Sequence, residues 1–170
     1  MKKTLFSIFI ALISILLVSA FTINDTIPKP KNLTNHTRCD ACGMIILDYP
    51  GPHAELVTTK PNGKVKYKYY GNIVESMKYI ITELKTKQNS VAVYVQPMDN
   101  HSFSKMYLKG NWILAKKAYF VVNSKKYFIM GPGYYPFKYK KNAEKFIKHH
   151  QGKIMSFDRI VSILSKRIDT

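Results

Sequence analysis

The chain has 170 residues, 46% of them hydrophobic, with 27 basic residues against 10 acidic ones and a formal net charge of +17. The lysines are spread along the chain ("KVKYKYY", "SKKYF", "FKYKKNAEKFIKHH") and form no single block, so they read mostly as a solvated surface, either one facing anionic lipid or the product of a lineage-wide lysine-rich bias. Only two cysteines are present, which excludes a multi-bridge disulfide framework.

Lys2 and Lys3 precede the uncharged run "LFSIFIALISILLVSA". This is the charged and apolar layout of a secretory signal, and Val18, Ser19 and Ala20 offer small residues for cleavage before Phe21. The run is short for a membrane span, which needs about 20 apolar residues. Residues 1–20 are therefore a signal peptide or an uncleaved N-terminal anchor. No cysteine follows the run, so lipid attachment there is excluded. Export argues against nucleic acid as a partner. Without the two leading lysines, the rest of the chain still carries a charge near +15. Residues 21–38 are rich in Pro, Asn, Thr and Lys and read as a linker. About 130 residues remain, enough for one domain with a real core.

Within that domain, 39–170, "AELVTT" alternates apolar and polar residues and predicts a strand. Asn62-Gly63 signals a hairpin turn, and "KVKYKYY" predicts the partner strand. Ile73, Met77, Ile80, Ile81 and Leu84 recur at helical spacing, and "SVAVYVQ" predicts a third strand. The order then repeats. "KAYFVVN" is a strand, "SK" a turn, "KYFIMG" the returning strand and "PGYYPF" a loop. Ala143, Phe146, Ile147 and His150 share a helical face, Gly152 ends that helix, and "KIMSF" is the last strand. Phe157, Ile160, Val161, Leu164 and Ile168 mark a final helix whose apolar face caps the sheet. The expected fold class is α+β: a tandem pair of ββαβ units, about 39–98 and 112–158, with a C-terminal helix.

"RCDACGM" holds both cysteines, Cys39 and Cys42, with Met44 two residues on. A four-ligand zinc finger wants a second CxxC or a spaced His pair. His149 and His150 are adjacent and point in different directions on a helix. A redox pair of the thioredoxin kind would open a helix, whereas "GMIILDYPGP" reads as extended and Pro-broken. A disulfide is permitted outside the cytoplasm but would close a very small loop. Thiolate and thioether are soft ligands that select Cu(I). An extended strand would put Cys42 and Met44 on one face. Met98, Met106 and Met130 sit in polar or irregular settings, while Met77 and Met155 read as core. No arrangement here resembles a catalytic constellation, so enzymatic turnover is not expected.

"CDACGMIILDYPGPHAEL" resembles the opening motif of the NosL family, copper-binding accessory proteins of nitrous oxide reductase. The likeness continues through "YVQPMDN", "WILAKKAYFV", "IMGPGYYPF" and "NAEKFIKHHQGKIMSFD", covering essentially all of the chain after Arg38. The resemblance implies two related ββαβ units, similar in shape to part of organomercurial lyase. It implies a small exported, periplasmic, usually lipid-anchored protein that binds one Cu(I) and passes it to nitrous oxide reductase or its assembly machinery. It implies Cys42 and Met44 as ligands, Cys39 as a third ligand or redox partner, and Met98 and Met130 as distant partners. Trp112 matches a structural tryptophan. The chain departs from the family in lacking the lipid-attachment cysteine and a Phe-Cys pair before the first helix, where it reads "KYKYYGN". Membrane association would then depend on an uncleaved N-terminus. A copper chaperone for another exported cuproenzyme, and a thiol-disulfide oxidoreductase using Cys39 and Cys42, remain as alternatives.

Overall fold

A computed structural model describes residues 27–49, 51–86, 89–99, 110–128 and 131–168. The expected signal or anchor, Met106 and Met130 lie outside the described residues. Among the described residues, no helix is long and apolar enough to cross a membrane.

β1 (Ala54–Thr59) and β2 (Val65–Tyr70) form the expected hairpin, in register from Ala54 opposite Tyr70 to Thr59 opposite Val65. The Asn62 side chain accepts the Lys64 N–H at 3.1 Å and closes the turn. α1 (Ile73–Thr86) follows and buries Ile73, Met77, Ile80 and Ile81. β3 (Ser90–Val95) returns antiparallel to β1, and the short β4 (Ile113–Leu114) adds at its far edge. The sheet order is β2-β1-β3-β4.

The second unit is built the same way. β5 (Tyr119–Val122) is central, flanked by β8 (Tyr135–Phe137) and β9 (Lys153–Ser156), both antiparallel to it. α2 (Lys140–His150) lies between β8 and β9 in sequence. In both units the first strand is central and the second and third flank it, which is the tandem ββαβ pattern of the fold class read from the sequence. At the end of α2 the Gln151 N–H reaches the Ile147 carbonyl at 2.8 Å. Gly152 then adopts φ +115°, where a Cβ would sit 2.8 Å from both Val121 Cγ1 and the Val122 carbonyl oxygen.

The structure corrects the returning strand of this unit. "KYFIMG" does not pair with β5; β6 (Tyr127–Phe128) and β7 (Gly131–Pro132) form a small hairpin of their own. The expected loop "PGYYPF" supplies β8 instead. Tyr135 and Phe137 are buried and drive that choice, packing with Val121 and Ala143 under α2. Pro136 is tolerated because β8 lies at an edge of its sheet and needs no N–H there.

α3 (Phe157–Ile168) also does more than cap one sheet. Phe157 and Ile160 join Phe120 and Val122 of the second unit to Leu56, Met77 and Ile80 of the first in one core, with Val161 and Leu164 packed against it. The helix is thus the joint between the two units.

β1 is buried on both faces despite its alternating apolar and polar residues. The cover comes from residues 28–33, within the stretch read as a linker. Tyr94 Oη donates to the Pro28 carbonyl at 2.8 Å, and Trp112 Nε1 donates to the Lys31 carbonyl at 2.9 Å. Both oxygens of the buried Glu55 accept the Lys31 N–H, at 3.0 and 3.1 Å. Leu33 ends this strap in the main core. Backbone groups without a sheet partner are satisfied by side chains from the strand face, so a polar sequence can lie flat on the domain.

Candidate metal centre

The strap leads directly into the cysteines. Arg38 and Ile45 form an isolated antiparallel bridge, and the six residues between them make a tight knuckle. The Cys39 N–H donates to the Met44 carbonyl and the Gly43 N–H donates to the Cys39 carbonyl, both at 2.8 Å. Gly43 takes φ +75°, the left-handed conformation that lets the chain reverse after Cys42. Arg38 Nη1 donates to the Gly43 carbonyl at 2.9 Å and ties the far side of the loop.

Asp40 fastens the knuckle to β2. Its N–H donates to the Tyr69 carbonyl at 2.8 Å, and its Oδ2 accepts the Tyr69 N–H at 2.7 Å. This seals the outer edge of the first sheet near the point where the chain turns into α1. Asn72 Oδ1 accepts the Val74 N–H at 2.8 Å and shapes the first turn of that helix. Glu75 stands on that turn.

The result is a three-residue cluster. The sulfurs of Cys39 and Cys42 and a carboxylate oxygen of Glu75 all lie within 4.8 Å of one another. Both cysteines are free; Cys39 is 3% exposed, while Cys42 faces solvent. Glu75 Oε2 is buried without a hydrogen-bond partner. Burial pushes the Cys42 thiol above its ordinary range; the Met44 N–H, donating to the Cys42 sulfur, pulls it down, and Cys39 and Glu75 push it up again. Two sulfurs on the knuckle and an unsatisfied carboxylate on the adjoining helix turn form a donor set suited to a metal ion.

Met44 lies half-buried in the same knuckle. The extended strand expected to align it with Cys42 is absent: Cys42 ends a turn and Gly43 reverses the chain. "IILDY" is likewise not extended, because Ile46–Asp48 forms one turn of 3₁₀ helix. Met98 is placed elsewhere. Its N–H donates to the Pro136 carbonyl at 2.8 Å, and its side chain packs with the Tyr135–Phe137 cluster of the second unit, whereas Cys39 belongs to the main core. Asp99, next to it, accepts from the Lys138 and Tyr139 N–H groups at 2.6 and 3.0 Å and so holds the start of α2. Met130 falls outside the described residues.

Glu75 was not legible as a site residue. An acid in the first turn of a helix is what the helix dipole favours anyway, and only the fold brings it beside the cysteines.

Fold and site together define a small α+β protein, built on two antiparallel ββαβ sheets, with two free cysteines on one knuckle beside a helix-borne carboxylate. The family model for NosL matches residues 30–164, and the chain belongs to the NosL family. It is 26% identical over 132 residues to the copper-binding lipoprotein NosL of Stutzerimonas stutzeri, covering 78% of this chain and 66% of that protein. It is 24% identical over 146 residues to the copper-binding lipoprotein NosL of Achromobacter cycloclastes, covering 79% of this chain and 69% of that protein. The chain thus spans 66% and 69% of the lengths of these curated relatives. The crystal structure of the copper chaperone NosL from Shewanella denitrificans superimposes with a TM-score of 0.65 at 30% identity, covering 76% of this chain and 93% of that one. The relatives are described as copper-binding lipoproteins and a copper chaperone, not as enzymes.

Proposed function

We propose that this chain is an extracytoplasmic Cu(I) carrier that delivers copper to nitrous oxide reductase or to the machinery that assembles it. The observation that carries the reading is the pairing of one buried and one exposed thiol on a knuckle at the sheet edge. Cys39 retains the ion from within, and Cys42 presents it to solvent. Met44 is the thioether of the same loop, so three soft donors come from six residues. Cu(I) tolerates low coordination, so a partner's Cys, Met or His enters at Cys42 before the outgoing sulfur leaves. No bond in a substrate is made or broken. Met98 and Met130 enter this ligand set on the resemblance alone.

The N-terminal run of apolar residues behind Lys2 and Lys3 supports export, and membrane association through that run. The copper-chaperone description of the structural relative supports delivery as the role.

The test is an anaerobic Cu(I) titration of the reduced full chain against a competing chelator. One tight equivalent is expected, lost in Cys42→Ser and weakened in Met44→Leu. Tight binding that survives both substitutions would remove these residues from the site. Transfer of the bound ion to apo nitrous oxide reductase, and not to an unrelated apo cuproenzyme, then tests the client.

A further inference from the structure

We infer that the solvent face of α2 and the cleft beside it form a docking site for an acidic segment of a partner protein, one that carries an apolar anchor side chain among its carboxylates. The charge of the chain is unevenly placed. Residues 119–156 hold eight lysines and one acidic residue, against seven lysines and five acidic residues over 39–98. α2 concentrates the excess. Lys141, Lys145 and Lys148 stand at i, i+4 and i+7 and are all exposed, so they form one line along the helix. Among the described residues, the one ion pair on α2 is Lys140 with Glu144 at 3.5 Å, which leaves that line uncompensated.

Beside the line lies a cleft of about 290 Å³. Met98, Phe137 and Phe146 supply its apolar lining, and Lys145, His149 and His150 supply nitrogen groups for a carboxylate. Asp99 is the one acidic residue in the lining, and it is already engaged. It accepts from the Lys138 and Tyr139 N–H groups and from Asn142 Nδ2, at 2.6, 3.0 and 2.8 Å, which also fixes the cleft wall at the start of α2. An incoming carboxylate is therefore drawn to the Lys145 end, and an apolar side chain to the surface of Phe137 and Phe146, whose rings lie 5.3 Å apart. Pockets that enclose a whole small molecule run from about 300 to 1,000 Å³. This cleft stands at the bottom of that range, which suits one inserted side chain of a larger partner whose remaining charge lies along the lysines. The layers of the fold decide between a protein and a bilayer. Each sheet turns one face to the common core. The strap, which follows the N-terminal run in sequence, covers the other face of the first sheet, and α2 covers the other face of the second. A chain held at a membrane by its N-terminus thus presents α2 on the side away from its tether. The cysteine knuckle is fastened to β2 of the first unit, so it stays open while α2 is occupied.

This site stands without the copper reading. The experiment is fluorescence anisotropy on the reduced full chain, with a dye-labelled probe peptide in which four glutamates flank one phenylalanine. Affinity is expected to fall at least about tenfold in the triple variant Lys141→Glu, Lys145→Glu, Lys148→Glu. It should change less than about twofold in Lys60→Glu, Lys64→Glu, Lys66→Glu, three equally exposed lysines on the first hairpin. Alanine in place of the peptide's phenylalanine should weaken binding several-fold. Circular dichroism and Cu(I) stoichiometry of the α2 variant should match wild type. Equal loss in the two triple variants, or equal affinity for a peptide with lysines in place of the glutamates, overturns the inference. Unchanged affinity for the alanine peptide overturns the role of the cleft. Displacement of the peptide by inorganic phosphate at constant ionic strength reduces the cleft to a simple anion site and overturns the inference too. So does retention on vesicles of phosphatidylcholine and phosphatidylglycerol that exceeds retention on phosphatidylcholine alone and disappears with the α2 lysines, because it assigns the face to a membrane. A chain that binds the peptide through α2 but takes no Cu(I) upholds the inference and removes the copper reading.

Discussion

Asp40 and Tyr69 are joined twice, once through the Asp40 N–H to the Tyr69 carbonyl and once through the Tyr69 N–H to the Asp40 carboxylate. The cysteine knuckle therefore acts as an extra rung on the edge of β2, and its position relative to α1 is set by this pair. Asp40→Ala removes the charge-assisted half of the link and costs about 1 kcal/mol in urea unfolding. Cu(I) affinity is expected to fall several-fold as the knuckle loosens, with Asp40→Asn in between because its side-chain oxygen still accepts. An Asp40→Ala chain with undiminished affinity would show that the knuckle holds its shape without β2.

The elements governed by local pattern were readable in advance, and the contrast with those that were not is physical. β1, β2, α1, β3, β5, α2, β9 and α3 each carry a period or a stop signal in their own residues, such as Ile73, Met77, Ile80 and Ile81 on one helical face. β8 was missed because Pro136 disguises an edge strand whose pairing is decided by the burial of Tyr135 and Phe137. The strap was missed because its partners, Glu55, Tyr94 and Trp112, belong to distant strands and loops. Cys39 and Cys42 were visible as neighbours in sequence; Glu75 required the sheet-edge docking through Asp40.

Burial of one acidic and one basic titratable group, on β1 and just before it, predicts a shaped pH profile. Glu55 is pushed up to about 7 from 4.5, chiefly by burial and against its bond with the Lys31 N–H. The folded chain keeps a proton that the unfolded chain releases, so this contribution is full below pH 4.5 and lost as pH rises through 7. His53 is pushed down to about 4 from 6.5, chiefly by burial and against its contact with the Gly71 carbonyl. Its contribution is full above pH 6.5 and lost as pH falls through 4. Glu55→Gln should gain on wild type as pH rises from 5 to 8, by on the order of 2 kcal/mol. His53→Gln should gain on wild type in the opposite direction, from pH 6.5 down to 4. Unfolding curves at three pH values decide; parallel profiles for either variant and wild type would contradict its assignment.

The strap makes a contrast between two apolar residues near the N-terminal end of the described chain. Leu33 is 7% exposed and shares a core with Cys39, whereas Ile27 is 54% exposed. Leu33→Ala is expected to cost about 2–3 kcal/mol, and to speed alkylation of Cys39 by opening the core beside it. Ile27→Ala should change stability by less than about 0.5 kcal/mol. Equal effects would mean that the strap is not part of the cooperative domain.

Gly152 offers the sharpest test of the second unit. Its φ of +115° and the 2.8 Å approach to Val121 and Val122 leave no room for a Cβ, and the neighbour on one side is backbone. Gly152→Ala should cost about 2–4 kcal/mol, more than Gly63→Ala, where φ is +77° but nothing lies within 4 Å and about 1 kcal/mol is expected. Because α3 follows β9 directly and joins both units, the loss should lower one cooperative transition and not split it in two.

The two thiols should also be chemically distinguishable. Cys42 is exposed and Cys39 is 3% exposed, though their sulfurs lie within 4.8 Å. Mass spectrometry after brief alkylation of the reduced chain should find label on Cys42 well before Cys39. Mild oxidation should join the pair, since the two sulfurs already lie within 4.8 Å of one another. The oxidised chain offers no thiolate, so tight Cu(I) binding should vanish and return on reduction. One equivalent of Cu(I) should protect both cysteines from alkylation. Protection of Cys39 alone would place the ion away from Cys42, and undiminished Cu(I) binding by the disulfide form would show that the sulfurs are not its ligands.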